Sequence, residues 1–564
     1  MNFKSIIKNF ALFSLSLAVF SACEKEEEKN AEPDTLSVTP ASAISFKASD
    51  NEPVKLSVKT NVSDWSVTAP EWITTKKESD ALIINALDNK EDARLGRIEI
   101  AAGSADPVRI NVSQSAAGEE VPGEGVAVVF NKLTEGEVLD VVSGQETVVK
   151  ASISIEKAVD YDIEAEIIFD KDYLNEFIFT QQQDYSLFPE EELSIVKKLT
   201  IKAGKTTSEE MSLSVKSSAM DFSTGYLIPL RASVAEGSGA FIKRSESRVN
   251  YVLMRTRAER TIKNVVYFEV NDANPLNAIE WLLEDGTPFI DAVVLFAANI
   301  NYNSGEDRVY LHNNANVQAL LDETDVYLQP LRKKGIKVYL GLLGNHDPAG
   351  LCQLSDWGAA EWSKEVAEAV KQYKLDGVSL DDEYSASPIS NRWFTSRSGK
   401  AGSRLMYELK KAMKKACYWP TEVSYYVLGS LQHNVSDVVD QETKESHSPS
   451  SFVDFYVGDY GTTTRPYADF TMANCCGASI QLNYGESISE SRASTIKSEG
   501  FGWCMWFAFD PSGTGSVSSN FKGSFAAMSN AARGFYGQEL VKPTGVYKKK
   551  GEGKYDPVRY DLNF

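Results

Sequence analysis

From Thr261 onward, apolar strands alternate with amphipathic helical intervals, and this alternation constrains the fold more than any other feature of the chain. The runs NVVYFEVND, FIDAVVLFAANINY, IKVYLGLLGNHD, LDGVSLDDEY, EVSYYVLG, FVDFYVGDYG, ASIQLNYG and FGWCMWFAFD are the strand candidates. Intervals such as SDWGAAEWSKEVAEAVKQY and SRLMYELKKAMKKA place apolar residues near every third or fourth position, as a helix with one buried face requires. Eight strands with intervening helices predict a (β/α)₈ TIM barrel over residues 258–540, followed by a C-terminal tail, 541–564. In such a barrel the chemistry sits at the C-terminal strand ends. Polar residues collect there: Asn271, Asn299, Asn301, Asn345, Asp381, Glu383, Tyr460, Gln481 and Asp510.

Ahead of the barrel the period changes to two. Residues 36–116 carry short alternating runs, VKLSVKT, RIEIAA and VRINVSQ, broken by Asp, Asn, Gly and Pro, which predict a β-sandwich. The Gly-, Glu- and Pro-rich stretch at 117–125 reads as a linker, and residues 126–257 (VAVVFN, TVVKASISI, DIEAEIIF, YLIPLRASVAE, VNYVLMR) as a second β-sandwich. The expected fold is therefore multidomain: two β-sandwich domains, then the barrel. The elements DWSVTAPEWI, RLGRIEI and INVSQ resemble the Bacteroidetes-associated carbohydrate-binding often N-terminal (BACON) domain. Trp65 and Trp72 read as packing residues there and the domain as a spacer. The second sandwich resembles an accessory domain that precedes many Bacteroidetes glycosidases.

Residues 1–22 have a secretory layout: Lys4 and Lys8, the apolar run ALFSLSLAVF, then small residues. The FSAC ending resembles a lipoprotein signal with Cys23 as the acylated first residue, followed by an acidic tether, 23–35. The expectation is an outer-membrane lipoprotein exposed at the cell surface, attached through lipid on Cys23 and working alongside glycan-uptake machinery. Lys+Arg 58 against Asp+Glu 79 gives a net charge of −21, which opposes binding to phosphate backbones and argues against a nucleic-acid partner. Beyond Cys23 the cysteines are Cys352, Cys417, Cys475, Cys476 and Cys504. With four histidines and no CxxC spacing they read as buried free thiols, so neither a metal nor a cofactor is expected.

In LDGVSLDDEY, strand alternation puts Ser379, Asp381 and Glu383 on the face towards the barrel axis and Val378 and Leu380 towards the helices. Two neighbouring carboxylates raise the pKa of one member, so that it holds a proton near neutrality, as a general acid requires. Asp376, at the strand entrance, reads as a structural hydrogen-bonding residue.

This segment resembles the DxxDxDxE motif of glycoside hydrolase family 18, with Asp376, Ser379, Asp381 and Glu383 on its four positions. Together VYFEVND, LFAANINY, LLGNHDPAG and LDGVSLDDEYS resemble the endoglycosidase H and F type endo-β-N-acetylglucosaminidases of that family, over about 261–537. The resemblance implies retaining, substrate-assisted cleavage between the two GlcNAc residues of an N-glycan core, of high-mannose type. Glu383 would be the acid, and Asp381 would orient the acetamido group whose carbonyl attacks the anomeric carbon. It further implies a strand-six tyrosine on the acetamido carbonyl, Tyr460 or Tyr456, and sugar contacts from Gln481, Trp506, Asn345 and Asn299. His346 reads as a loop-packing residue. Ser379 departs from the chitinase pattern, which has Asp there. A chitinase and a non-catalytic glycan-binding protein are the alternatives; both carboxylates being present argues against the latter.

Overall fold

The computed structural model describes residues 34–40, 43–90, 93–105, 107–115, 125–516 and 519–559. Cys23 and the signal segment lie outside them. The chain forms two compact units that divide near residue 118.

In the first unit, two four-stranded sheets share one apolar cluster that includes Leu56, Ile84, Ile98 and Ile110. Trp65 is 4% exposed within it, with the Lys77 ammonium 4.5 Å above its ring. Trp72 packs at the edge, covered by the Arg94 guanidinium at 5.0 Å. Both indoles are occupied by packing, as alternating inward positions would have it.

The second unit begins with two further sheets over Val126–Thr256 that enclose Val149, Ile153, Leu213, Ile228 and Tyr251. This part docks on the barrel through Tyr418. Its ring lies 4.5 Å from that of Tyr185, and its hydroxyl accepts from the Gly225 N–H (3.1 Å) and donates to the Asp184 carbonyl (3.1 Å).

The barrel strands are β1 (Lys263–Glu269), β2 (Ala292–Asn303), β3 (Lys337–Leu343), β4 (Gly377–Asp381), β5 (Glu422–Tyr426), β6 (Phe455–Val457), β7 (Cys476–Gln481) and β8 (Trp503–Phe507). They pair in parallel in the order β6-β5-β4-β3-β2-β1-β8-β7, and one parallel bridge, Tyr456 to Cys475, nearly closes the ring. Alternation sorts their side chains. Val265, Tyr267, Val294, Tyr339, Phe455 and Trp503 fill the interior, where Phe455 and Trp503 stack with centroids 3.7 Å apart. Val266, Val293, Val338, Val378 and Tyr425 face the outer layer. Gly377 opens β4 at φ +144, where a Cβ would meet the Glu422 carbonyl oxygen at 1.9 Å; only glycine lets β4 and β5 approach this closely.

The outer layer departs from a full set of eight helices. Asp356–Gln372 (Ser355 N-cap) and Gly399–Ala416 (Ser398 N-cap) flank β4, while Glu490–Ser498 and Phe521–Tyr536 follow β7 and β8. Among the described residues, only 3₁₀ turns and a short hairpin connect β5 to β6 and β6 to β7. Those connections are rich in Ser, Thr, Asn, Asp and Pro, without helical period. An aromatic layer covers the sheet instead: Tyr425 stacks on Tyr456 (5.3 Å, 13°), and Tyr467 and Phe470 pack against Tyr456. Nor is the C-terminal segment a loose tail: Tyr547 and Tyr555 are buried, and the Tyr555 hydroxyl donates to the Val270 carbonyl (2.6 Å). Among the described residues no helix is long and apolar enough to cross a membrane.

Candidate active site

The end of β4 builds the site. Ser379 and Asp381 point inward, and the Ser379 hydroxyl shares a 2.7 Å hydrogen bond with the Tyr267 hydroxyl of β1, both groups being buried. One layer higher, Asp381 is 6% exposed and its Oδ1 has no hydrogen-bond partner. Burial first, then the negative charges of Glu383, Asp382 and Asp459, push its carboxyl well above the usual range. Glu383 follows, half-buried, its carboxyl also raised by burial and by Asp459. Asp382 has the opposite parity: its carboxylate turns away and accepts the Ser430 N–H (2.7 Å), holding the loop after β5.

The segment after the acid is clamped to the loop after β3. Tyr384 and His346 both have positive φ (56° and 61°), and the His346 N–H donates to the Tyr384 carbonyl at 2.6 Å. Asp347 ties three loops: its carboxylate accepts the N–H groups of Tyr302 (2.9 Å) and Ala349 (2.7 Å), and its carbonyl accepts that of Ala386 (2.9 Å). His346 thus belongs to the loop clasp.

Tyr460 stands in the mouth, its ring between those of Tyr426 (6.1 Å) and Phe507 (5.2 Å), close enough for Asp381, Asp459, Glu269 and Glu383 to raise its hydroxyl pKa on top of burial. Asp459 Oδ1 accepts from the Tyr426 hydroxyl (2.5 Å) and the Tyr460 N–H (2.7 Å). Tyr456, the alternative, faces the outer layer, where its hydroxyl donates to the Arg465 carbonyl (2.9 Å).

Gln481 ends β7 with inward parity, since Ile480 packs outward. Asn299 spends its amide N–H on the Gly344 carbonyl (3.1 Å), linking the ends of β2 and β3, while exposed Asn345 donates to Asn301 Oδ1 (3.1 Å). Trp506 is the correction. It is fully buried on the helix side of β8, its indole N–H donating to Asn264 Oδ1 (3.0 Å) and its ring 6.1 Å from Phe289. Strand parity places Trp503, Met505 and Phe507 inward, so Phe507 lines the mouth where Trp506 was expected. Asp510, too, is structural: it accepts from the N–H groups of Ser512, Thr514 and Gly515.

Sequence reasoning missed Glu269, Tyr267, Asp459 and Phe507. Glu269 ends β1 two residues beyond inward Tyr267, and burial and Asp272 raise its carboxyl to about 7. Its parity in VYFEVND was the available signal. The five described cysteines are buried free thiols.

A parallel barrel that presents a desolvated Asp–Glu pair at the end of β4, framed by tyrosines, defines a glycoside hydrolase. A family model for an N-terminal domain matches residues 126–239. The chain is 37% identical over 296 residues to endo-β-N-acetylglucosaminidase F1 of Elizabethkingia meningoseptica, covering 51% of this chain and 82% of that protein. It is 32% identical over 249 residues to an endo-β-N-acetylglucosaminidase of Flavobacterium sp. (strain SK1022), covering 43% and 74%. Among solved structures it is similar to Bacteroides thetaiotamicron EndoBT-3987 with a Man5GlcNAc product (TM-score 0.52, 32% identity, 75% of this chain and 96% of that one). The same protein with a Man9GlcNAc2Asn substrate gives TM-score 0.51 and 29% identity over 77% and 99%. The chain belongs to the endo-β-N-acetylglucosaminidase family.

Proposed function

We propose that this enzyme hydrolyses the β-1,4 bond between the two GlcNAc residues of high-mannose N-glycans, by the substrate-assisted route of glycoside hydrolase family 18. The observation that carries the mechanism is the buried, unpartnered Oδ1 of Asp381 beside half-exposed Glu383. That oxygen lacks a donor, and the acetamido N–H of a bound GlcNAc supplies one. Burial first, and then the neighbouring carboxylates, raise both carboxyls and so favour a proton held on the pair. Accepting the acetamido N–H favours the ionised form at Asp381 and leaves the proton on Glu383.

Glu383 then protonates the glycosidic oxygen as the acetamido carbonyl attacks the anomeric carbon and the C–O bond breaks. The carboxylate of Asp381 stabilises the oxazolinium charge, and the Tyr460 hydroxyl donates to the acetamido oxygen. Ionised Glu383 next takes a proton from water, which opens the oxazolinium with overall retention. Gln481, Asn345 and Phe507 contact the sugar, and Asn299 holds the loop that carries Asn345.

The substrate reading follows the EndoBT-3987 complexes with Man5GlcNAc and Man9GlcNAc2Asn. Incubation with high-mannose glycoproteins, complex glycoproteins and chitooligosaccharides, followed by mass spectrometry, tests it. The expected product is protein retaining one GlcNAc, from the high-mannose substrate. Preferential cleavage of chitooligosaccharides would establish a chitinase instead. Glycan transfer from a sugar oxazoline to GlcNAc by Asp381→Asn supports the acetamide route; a glycosyl adduct on Asp381 refutes it.

We assign the two sheet pairs ahead of the barrel as β-sandwiches, a BACON-like spacer at 36–116 and an accessory domain at 126–257. Lipidation at Cys23 would hold the enzyme at the outer surface of the outer membrane beside glycan-uptake machinery. Cys23→Ala should then move it from the membrane fraction to the soluble one, and its retention in washed membranes would refute the anchor.

A further inference from the structure

The N-terminal end of the barrel, opposite the catalytic mouth, meets the 126–256 part at two adjoining cavities of about 670 and 330 Å³. In a chain of net charge −21 their lining is basic: Arg255, Arg257, Arg260, Lys263, Lys334 and Lys497. Asp291, Asp285 and Glu259 line the same cavities, and Asp221 faces Arg255; Arg332 and Lys337 are neutralised by Asp376 and Glu422.

Arg255 lies at the end of the last accessory strand (Arg248–Thr256), and Arg257 and Arg260 on the segment that leads from it into β1. A single carboxylate, Asp291, serves two of them: Arg257 Nη1 lies at 2.9 Å and Arg260 Nη1 at 3.3 Å. Arg257 Nη1 is buried and, despite that proximity, aims no N–H at an acceptor. Burial and the neighbouring Arg260 charge lower the pKa of Arg257. The Arg255 guanidinium sits over Phe222, its carbon 4.2 Å from the ring centroid, with Nε donating to Ser143 Oγ (3.0 Å) and Nη1 to the Met220 carbonyl (2.7 Å). Those two bonds fix the plane of the guanidinium without using Nη2. The stem of Arg257 runs over Gly335 beside the same Phe222, where a Cβ on Gly335 would fall 2.8 Å from Arg257 Cδ and 3.2 Å from the Phe222 ring. Lys263, on the barrel floor, stands 5.3 Å over the Trp503 ring.

The geometry points to a second ligand site in this cleft, taking a phosphate or sulfate group. Preoriented guanidinium edges on apolar supports match tetrahedral oxyanions, and an anion there would relieve the crowding of Arg257 and Arg260 on one carboxylate. Nothing in hydrolysis of a neutral glycan uses these residues.

The test is thermal unfolding of the full-length protein in phosphate, sulfate or chloride at one ionic strength. Phosphate and sulfate should raise Tm in a saturating way and chloride should not. Arg255→Gln should raise the phosphate concentration needed for half the effect about tenfold, with glycan hydrolysis unchanged. Lys263→Gln, on the other wall, should do the same and serves if the arginine variant fails to fold. Equal stabilisation of the wild type and the variants, or stabilisation by chloride as large as by phosphate, overturns the proposal. Glucose 6-phosphate and phosphatidylglycerol vesicles separate the sources of the phosphate group. A Tm rise with the sugar phosphate assigns a soluble phosphoester, and vesicle retention that Arg255→Gln and free phosphate both abolish assigns a headgroup. Retention indifferent to phosphate counts against the site.

Discussion

Asp376 and Asp381 belong to one motif, and the structure gives them separable work. Asp376 accepts Arg332 Nε (2.9 and 3.1 Å), Arg332 Nη2 (2.9 Å) and the Val338 N–H (2.9 Å), with the Arg332 side chain 3% exposed. Asp376→Ala leaves that guanidinium buried without a counter-charge, a situation that costs about 3–5 kcal/mol. For a barrel of this size the apparent melting temperature should fall by roughly 6–20 °C. Asp376→Asn keeps one acceptor oxygen and should fall between Ala and wild type. Asp381 lies five residues further on, roughly 16 Å along the strand at ~3.3 Å per residue. Turnover per folded molecule, measured well below the transition, should therefore stay within about threefold of wild type, a barrier change under ~0.7 kcal/mol. Calorimetry paired with release of glycan from a high-mannose glycoprotein checks both halves. An unchanged melting temperature would refute the energetic argument, and a tenfold or larger loss of kcat in fully folded protein would refute the division of labour.

Glu383→Gln should lower turnover by about 10² to 10⁴-fold while glycan binding persists in calorimetric titration, because the amide keeps the shape but delivers no proton; near-normal turnover would exclude it as the acid. Tyr460→Phe should lower kcat by up to about 10²-fold, whereas Tyr456→Phe, which loses its bonds to the Arg465 carbonyl and Cys475 Sγ on the outer side of the sheet, should cost about 1–2 kcal/mol of stability and leave kcat alone; the reverse pattern would exchange their roles. Glu269, held at about 7 in the folded protein, binds more protons there than when unfolded, so stability falls as pH rises from its unfolded pKa towards 7. Glu269→Gln should therefore match wild type in unfolding free energy at pH 4 and exceed it at pH 8 by up to about 3 kcal/mol, read by denaturant titration; a difference independent of pH would refute that account.

The parts of this site legible in the sequence were those where a short apolar strand ends in charge. Parity along VSLDDEY separates inward Ser379 and Asp381 from outward Val378, Leu380 and Asp382, and the structure keeps that division. Trp506 was chosen by resemblance; parity along WCMWF, anchored on Trp503, would have turned it outward and selected Phe507. Glu269 was open to the same reading. Asp459 was not, because it lies past the end of β6 in a turn whose shape is set by its bonds to Tyr426 and Tyr460. The missing helices after β5 and β6 had a signal, the lack of helical period in those connections, but the layer that covers the sheet in their place had none. The tyrosines that replace them look, in sequence, like ordinary strand residues, and only their mutual stacking makes a layer.

Ser379 shows how this barrel fills the layer beneath Asp381 without a third acid. In the chitinase pattern an Asp there exchanges a hydrogen bond or proton with the next carboxyl. Here the serine hydroxyl is tied to Tyr267 at 2.7 Å and faces a buried tyrosine whose own pKa is raised by burial, so this contact provides no group that gains or loses a proton near neutrality. Asp381 Oδ1 consequently has no partner from below. The charge that crowds Asp381 comes from beside and above, from Glu383, Asp382 and Asp459. A carboxyl so placed is completed by a donor entering from the mouth, and in the proposed mechanism the acetamido N–H is that donor. In that mechanism the N–H supplies what Asp381 Oδ1 lacks, and so ties recognition of an N-acetyl group to the first step of the chemistry.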